Sequence, residues 1–362
     1  MDFAFNPDQR ELRETLRAFL GRHATSNAVR EAALGGDGFG RAAWERLVGE
    51  MELTSLAIPA EAGGTGASFV EVGIALEELG RTLLPVPYLP TVCAAAAVAG
   101  SAAAGPLLER IVAGEAVAVA LEGVEALRAS GDGDAVTVDG SARHVLDAPH
   151  AAAFVCAVEL EGEPALVAVD RDAAGVEVVP EATLDQTRRQ GELHFDASPA
   201  TRLSAPGDGR AAVERGRDLV SVALALEAVG AAARCLEATV EYLGERVQFG
   251  KPIGSFQALK HRCADLAAGL EAARSTAYYA GWAADGAPVE LAVLAPLARA
   301  VCNDAFLHVA AESIQLHGGI GFTWEHDAHL YFKRAKSTDL LGGGSRAQRR
   351  LVGARAGILE AP

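Results

Sequence analysis

Arg246-Val247-Gln248-Phe249-Gly250-Lys251-Pro252-Ile253-Gly254-Ser255-Phe256-Gln257-Ala258-Leu259-Lys260-His261 interrupts a long helical half of the chain, and the organisation of the rest follows from it. Before it, helical periodicity runs from about Val213 to Leu243. After it, the same periodicity resumes around Phe256 to Ala284 and again from Val289 to Leu316. Gly244 and Gly250 bracket the charged connection, and Gly286-Ala287-Pro288 separates the next two helices. Long helices joined by short breaks predict an up-and-down four-helix bundle over residues 210–362.

Upstream, Ser204-Ala205-Pro206-Gly207-Asp208-Gly209 reads as a linker, and before it the pattern changes. From Ala116 to about Leu203, short apolar runs such as Val117-Ala118-Val119-Ala120-Leu121, Ala152 to Val158 and Ala165 to Val169 alternate with turns such as Gly131-Asp132-Gly133-Asp134. Strands without intervening helices predict an antiparallel barrel or sandwich over 115–204 and disfavour a doubly wound nucleotide-binding sheet. Residues 1–114 read as helical again: Leu12, Leu16 and Leu20 recur four apart, followed by Trp44, Leu47 and Met51 and by Val70, Val72, Ile74, Leu76 and Leu79. Ile58-Pro59-Ala60-Glu61-Ala62-Gly63-Gly64-Thr65-Gly66 breaks this helical region with a close-approach loop or a simple turn. The fold class is therefore α+β, in the order helical, β, helical.

A chain of 362 residues, half of them apolar, can bury a large core. Its formal charge of -16 is spread along the sequence, which works against nucleic acid and anionic membranes as partners. The N-terminus lacks a basic region followed by an apolar run, so neither a leader nor a membrane span is expected, and a cytoplasmic location is. Five scattered cysteines, Cys93, Cys156, Cys235, Cys263 and Cys302, predict free buried thiols. The nine histidines show no HExxH spacing, and the pair His326 and His329 has no third ligand nearby; no metal is expected.

A second stretch, Gln315-Leu316-His317-Gly318-Gly319-Ile320-Gly321-Phe322-Thr323-Trp324-Glu325, leads to Tyr331-Phe332-Lys333-Arg334. With the Arg246–His261 segment, in this order and separation, it closely resembles the acyl-CoA dehydrogenase family. The Ile58–Gly66 loop and Glu77-Glu78-Leu79-Gly80-Arg81 resemble the family's N-terminal domain. The resemblance implies FAD as cofactor, an acyl-CoA substrate and an electron-transfer flavoprotein as acceptor. It places Arg246, Gln248, Phe249, Gln315, Gly318 and Gly319 against the FAD of a neighbouring subunit, and so implies a dimer or dimer of dimers. The residue types suit that role: a forked cation for phosphate, an amide, an aromatic cover and glycine backbone that can approach oxygens closely. Taken singly, Arg246 could pair with Glu245 or Glu241, and Gly318-Gly319 could merely end a helix.

Where the resemblance lapses, the chemistry changes. The family removes an α-proton with a carboxylate, commonly in a Tyr-Glu-Gly-Thr-like turn; here that stretch reads Asp339-Leu340-Leu341-Gly342-Gly343-Gly344-Ser345, with Gly342 at the glutamate position. The alternative position near Leu219-Val220-Ser221-Val222-Ala223 holds no carboxylate, Glu227 lies a turn or two too late, and Asp339 reads as a cap or solvated charge. The family's Thr-Glu-Pro and Gly-Ser-Asp pattern gives way to residues 120–127, and its Trp-Ile-Thr segment to His144-Val145-Leu146-Asp147. A chain that retains support for a neighbour's FAD while losing its own flavin-side groups and base resembles the depleted subunit of heteromeric acyl-CoA dehydrogenases, including those acting on steroid-derived CoA thioesters in actinobacteria. Two other readings stay open: a homotetrameric dehydrogenase with a relocated base, and a non-redox acyl-CoA-binding or interaction protein of the same fold.

Overall fold

The computed structural model describes residues 4–122, 126–131 and 133–359. Met1-Asp2-Phe3, Gly123-Val124-Glu125 of the divergent 120–127 stretch, and Asp132 of the 131–134 turn lie outside these residues. Along the chain, helices α1 (Pro7–His23), α2 (Ser26–Leu34), α3 (Arg41–Gly49), α4 (Phe69–Thr82), α5 (Tyr88–Val98) and α6 (Gly105–Val112) come first. Strands β1 (Val117–Ala120), β2 (Leu127–Ser130), β3 (Ala135–Leu146), β4 (Ala153–Leu160), β5 (Glu163–Asp170), β6 (Val176–Pro180) and β7 (Gln190–Arg202) follow. The last third holds α7 (Gly209–Glu245), the short pair β8 (Val247–Gln248) and β9 (Lys251–Pro252), α8 (Gln257–Gly286), α9 (Pro288–His317), α10 (Ala328–Leu340) and α11 (Gly344–Arg355). The helical, β, helical order matches the sequence reading.

Two compact units are formed, each from separate stretches of chain. One comprises Ala32–Val72 and Pro85–Val220 and contains the β region. Its hydrogen-bonded circuit runs β4–β2–β3–β7–β5 and returns to β4, which closes a barrel and leaves no free edge on that circuit. The antiparallel expectation needs correction at β1 and β2, which pair in parallel, one after the other, with the same strand β4. Both are four-residue strands, so their partner is chosen by tertiary pairing and not by pattern.

Alternation explains the interior. Phe154, Cys156, Val158 and Leu160 of β4 point into a core shared with Val136, Val138, Val167, Val169, Leu193 and Phe195. The opposite face of β4, Ala153, Val155 and Ala157, packs with Val98 of α5 and Leu107, Leu108 and Ile111 of α6. Each fully buried Val, Leu or Phe side chain contributes about 1.5–3 kcal/mol. Buried on both faces, β4 reads as a continuous apolar run. At the end of β3 a register shift between Ala142 and Val145 accompanies left-handed backbone at His144 (φ 59°) and Asp147 (φ 53°).

The other unit comprises the N-terminal stretch through Glu31, Gly73–Leu84 and Ser221 onward. Here the C-terminal part of α4 crosses α7 so closely that glycine is required. A Cβ at Gly80 would lie 2.1 Å from the Glu227 carbonyl oxygen, and one at Gly230 would lie 1.8 Å from that of Glu77. Glu77 and Glu78, both buried, are matched by Arg13, Arg17 and Arg274 and by the Tyr278 hydroxyl, which donates to Glu77 Oε2 at 2.6 Å. Helix α8 packs along α9, and α10 and α11 pack on α9 in turn. The segments Gly209–Glu245 and Pro288–Phe322 are long and apolar enough to cross a membrane by length and composition, but 83% and 50% of their apolar windows are buried inside the protein, as core helices are.

Candidate functional site

Three helix ends meet in the second unit. Near the C-terminus of α7, Thr239 Oγ1 donates to Ser313 Oγ of α9 at 2.9 Å, and one turn further on the Tyr242 ring lies 4.7 Å from that of His317. At the start of α8, Arg262 pairs with Glu312 of α9. The β8–β9 hairpin, which leaves α7, and the Gly318–Phe322 turn, which leaves α9, therefore emerge at one end of the helix group, although about seventy residues separate them in sequence.

The hairpin is held by its own backbone. Val247 and Gln248 pair with Pro252 and Lys251, and Ile253 N donates to Arg246 O at 2.8 Å. Phe249 and Gly250 form the turn with φ of 53° and 77°, a left-handed geometry that is uncommon for phenylalanine. Phe249 is 89% exposed and touches only the edge of Phe256, over which Lys251 Nζ sits at 4.4 Å. Beyond the turn after α9, Phe322 and Trp324 are 86% and 66% exposed. Exposed aromatic side chains on this scale mark a contact surface.

Arg246, Gln248, Phe249, Gln315, Gly318 and Gly319 are all exposed at this end. Glu241 pairs with Arg234 at 3.2 Å and not with Arg246. Among the described residues, the Arg246 guanidinium has no ion pair or hydrogen bond, and the Gln315 amide has none either. Gln248 Nε2 donates to Val247 O at 2.9 Å. Gly318 adopts φ 64° and ψ −139°, open only to glycine, and its N–H donates to Gln315 O, which removes that amide from the donors available to a ligand. A Cβ at Gly318 or Gly319 would meet nothing within 4 Å, so the turn borders open space. The donor set fits the pyrophosphate side of a dinucleotide: an unpaired forked cation, a free amide and an aromatic cover.

The second candidate element is the turn between α10 and α11. Gly342, Gly343 and Gly344 have φ of 61°, 85° and 73° in succession. Asp339 Oδ1 accepts from Ser345 N at 3.3 Å and Ser345 Oγ at 3.2 Å, a capping role, and Gln348 Nε2 donates to Gly342 O at 3.1 Å. Glu227 is held by Arg334 at 3.2 Å in a buried pair. The sequence reading missed what anchors this turn. Arg299, buried in α9, donates to Asn303 Oδ1 at 2.9 Å and to the Thr338 and Leu341 carbonyls at 2.5 and 3.4 Å. Its signal was a lone cation inside the apolar run Leu291 to Val301, with Asn303 one turn later.

Of the divergent flavin-side positions, Val145 and Leu146 are buried, and His144 Nδ1 lies 2.8 Å from Glu181 Oε2. Cys93, Cys156, Cys235 and Cys302 are buried free thiols, and burial pushes those of Cys156 and Cys302 up to about 12.

Family models for the acyl-CoA dehydrogenase N-terminal domain and C-terminal domain match residues 6–110 and 207–357. Acyl-CoA dehydrogenase IpdE2 of Mycobacterium tuberculosis (strain ATCC 25618 / H37Rv) is 37% identical over 350 residues, covering 95% of this chain and 96% of the relative. This chain belongs to the acyl-CoA dehydrogenase family. Acyl-CoA dehydrogenase IpdE2 of Mycolicibacterium smegmatis (strain ATCC 700084 / mc(2)155) is 35% identical over 95% of this chain and 97% of the relative. Among solved structures, a variant of the Tcur3481–Tcur3483 steroid ACAD is 32% identical with a TM-score of 0.89, over 97% of this chain and 98% of that one. The ChsE4–ChsE5 complex from Mycobacterium tuberculosis is 28% identical with a TM-score of 0.90 and full coverage of both chains. Members of the acyl-CoA dehydrogenase family are FAD-dependent oxidoreductases, and the gap between the two matched models falls on the β region, where the family's sequence features are weakest here.

Proposed function

We propose that the chain is a cytoplasmic subunit of a heteromeric acyl-CoA dehydrogenase acting on a steroid-derived CoA thioester, and that it completes a FAD site at the subunit interface without supplying the proton-abstracting carboxylate. The observation that carries this reading is Gly342: the position where the family commonly keeps its base is a left-handed glycine, and the nearby carboxylates Asp339 and Glu227 are engaged as a cap and in a buried ion pair. In contrast, the groups suited to a neighbour's cofactor remain exposed, and among the described residues the Arg246 and Gln315 side chains are unengaged. Two-component relatives, one described as a steroid ACAD, support the same assignment.

In this arrangement Arg246 would hold the pyrophosphate with its forked N–H donors, Gln315 would orient a neighbouring polar edge, and Phe249 would exclude water from an apolar one. FAD held there would supply a hydride acceptor, with an electron-transfer flavoprotein as the acceptor of its electrons. The partner subunit supplies the base that takes the α-proton.

The test is the flavin absorbance spectrum and molar mass of the purified chain, alone and co-expressed with an acyl-CoA dehydrogenase encoded beside it. A colourless chain that gains about one FAD per pair of subunits only with the partner is expected. A yellow homo-oligomer with a full complement of FAD, bleached by an acyl-CoA, would overturn the heteromer in favour of a homotetramer with a relocated base.

A further inference from the structure

The unit built on the β-barrel contains a cavity of about 660 Å³ to which neither the FAD-contact groups nor the Gly342 turn contributes. It lies between the loop before α3 and the end of the barrel where β3, β6 and β7 have their rims, and its polar lining is Asp37, Arg41, His150, Arg171, Glu181 and Arg189. Three arginines converging on one cavity are conspicuous in a chain of net charge -16.

Those arginines are held mainly by backbone carbonyls and not by carboxylates. Arg171 donates to the Ala148 and Ala151 carbonyls at 3.0 and 3.3 Å, and Arg189 to those of Asp37 and Ala33 at 3.2 and 3.0 Å. Arg41 has only a 3.5 Å contact to Asp37 and lies 4.8 Å from the Phe39 ring centroid. Carbonyl contacts fix a guanidinium in place without cancelling its charge. Of the two acidic side chains in the lining, Glu181 Oε2 lies 2.8 Å from His144 Nδ1, while its Oε1, 3.7 Å from Arg143, is buried without a hydrogen-bond partner. The lining therefore sets three guanidinium groups against two carboxylates.

Gly38 (φ 74°) brings its loop so close to Arg189 that a Cβ there would fall 1.9 Å from the guanidinium Nε. His150 stacks on Phe39 at 4.9 Å, and its Nε2 is buried without a hydrogen-bond partner. Burial, and then the three arginines acting against Asp37, hold the His150 pKa below its ordinary value, so the ring is neutral at pH 7 and retains one N–H. An orphaned ring nitrogen beside guanidinium groups that outnumber the carboxylates suits an anion with several oxygens.

We infer that this cavity binds the phosphate or diphosphate group of a small molecule, with Arg41, Arg171 and Arg189 supplying the charge and His150 Nε2 a hydrogen bond. A carboxylate has only two oxygens to offer three guanidinium groups, whereas a phosphate or a pyrophosphate can accept from all three at once. The volume exceeds that of the anion alone and leaves room for an organic body beside it. Two sources share this chemistry: the nucleotide end of the acyl-CoA substrate, which rests on the function proposed above, and a free phosphorylated metabolite, which does not.

The test is isothermal titration of the full chain at low salt with adenosine 3′,5′-bisphosphate and, separately, inorganic pyrophosphate. At least one should bind, more weakly as salt rises. Arg41→Gln should weaken binding about tenfold, the loss of one charge-assisted contact. Asp37→Asn should tighten it several-fold while keeping the oxygen that accepts from Phe39 N at 3.2 Å. A gain in affinity cannot come from misfolding. Preference for the bisphosphate assigns the site to the nucleotide, and equal or better binding of pyrophosphate assigns it to a free metabolite. The inference is overturned if neither anion binds at millimolar concentration, or if both substitutions leave binding unchanged. The heteromer proposal survives either result, because flavin stoichiometry tests it separately.

Discussion

Arg334 of α10 donates to Glu227 of α7 at 3.2 Å, with side-chain exposures of only 4% and 12%. The pair occupies the interior of the helical unit, and Gly80 of α4 closes against the Glu227 backbone. A carboxylate so placed is a structural anion. Removing Arg334 alone, as Arg334→Met, should cost about 3–5 kcal/mol in chemical denaturation, because it strands a buried charge. Adding Glu227→Leu in the same chain should recover much of that loss. A double variant no more stable than the single one would mean that the pair is solvated and that Glu227 is free for other work.

Gly342 sits at φ 61° and ψ 28°. Gly342→Ala should destabilise the chain by roughly 1 kcal/mol, the cost of placing a Cβ in left-handed backbone. If the proton is taken by the partner subunit's base, the kcat of the assembled enzyme should stay within about twofold of the parent. A large loss of kcat with an unchanged amount of bound FAD would place this turn against the reacting atoms.

Among the described residues the Arg246 guanidinium has no partner, so its replacement should be silent in the isolated chain and costly in the assembly. Arg246→Met should leave the Tm of the chain alone within about a degree, yet weaken FAD retention by the complex about 10–100-fold, the worth of charged hydrogen bonds. Arg246→Lys should restore only part of it, since the ammonium lacks the fork. Absorbance after gel filtration reads both variants.

Arg299→Met leaves the Thr338 and Leu341 carbonyls without their buried donor. A loss of about 2–4 kcal/mol is expected, with the α10–α11 turn becoming the first site of limited proteolysis. Unchanged cleavage would show that the glycine turn holds itself.

His326 and His329 have pKa values below the ordinary histidine range, chiefly through burial, with His317 and Lys333 as the next causes respectively. A depressed folded pKa means that the unfolded chain binds protons more readily, so stability is complete above about pH 6.5 and falls as acid moves through the window beneath it. His326→Gln should flatten the dependence of Tm on pH between 7.5 and 5.5. An equally steep profile in the variant would assign the acid sensitivity elsewhere.

Periodicity carried most of the architecture. The four-apart leucines Leu16 and Leu20 do face the core, and the Val117–Ala120 and Ala165–Val169 runs do lie on strands. Pattern could not reveal that β1 and β2 share β4 as a parallel neighbour, since four residues hold too little information to choose a partner. The Arg246–His261 stretch and the glycine turn were legible through their resemblance to the family, whereas the hairpin geometry was not, since a left-handed phenylalanine at position 249 gives no signal in its residue type. Arg299 and the arginine-lined cavity were not, because each depends on residues brought together from distant stretches, such as Arg41 with Arg171 and Arg189.

Strand β4 is filled on both faces and hydrogen-bonded along both edges. Its amides should be among the slowest in the barrel to exchange with deuterium, since no partial opening frees them without dismantling a neighbour on every side. Any residue change along it must satisfy two cores at once. Functional divergence within this architecture is thereby pushed outward to the rims, where loops can be rewritten without disturbing the wall they stand on.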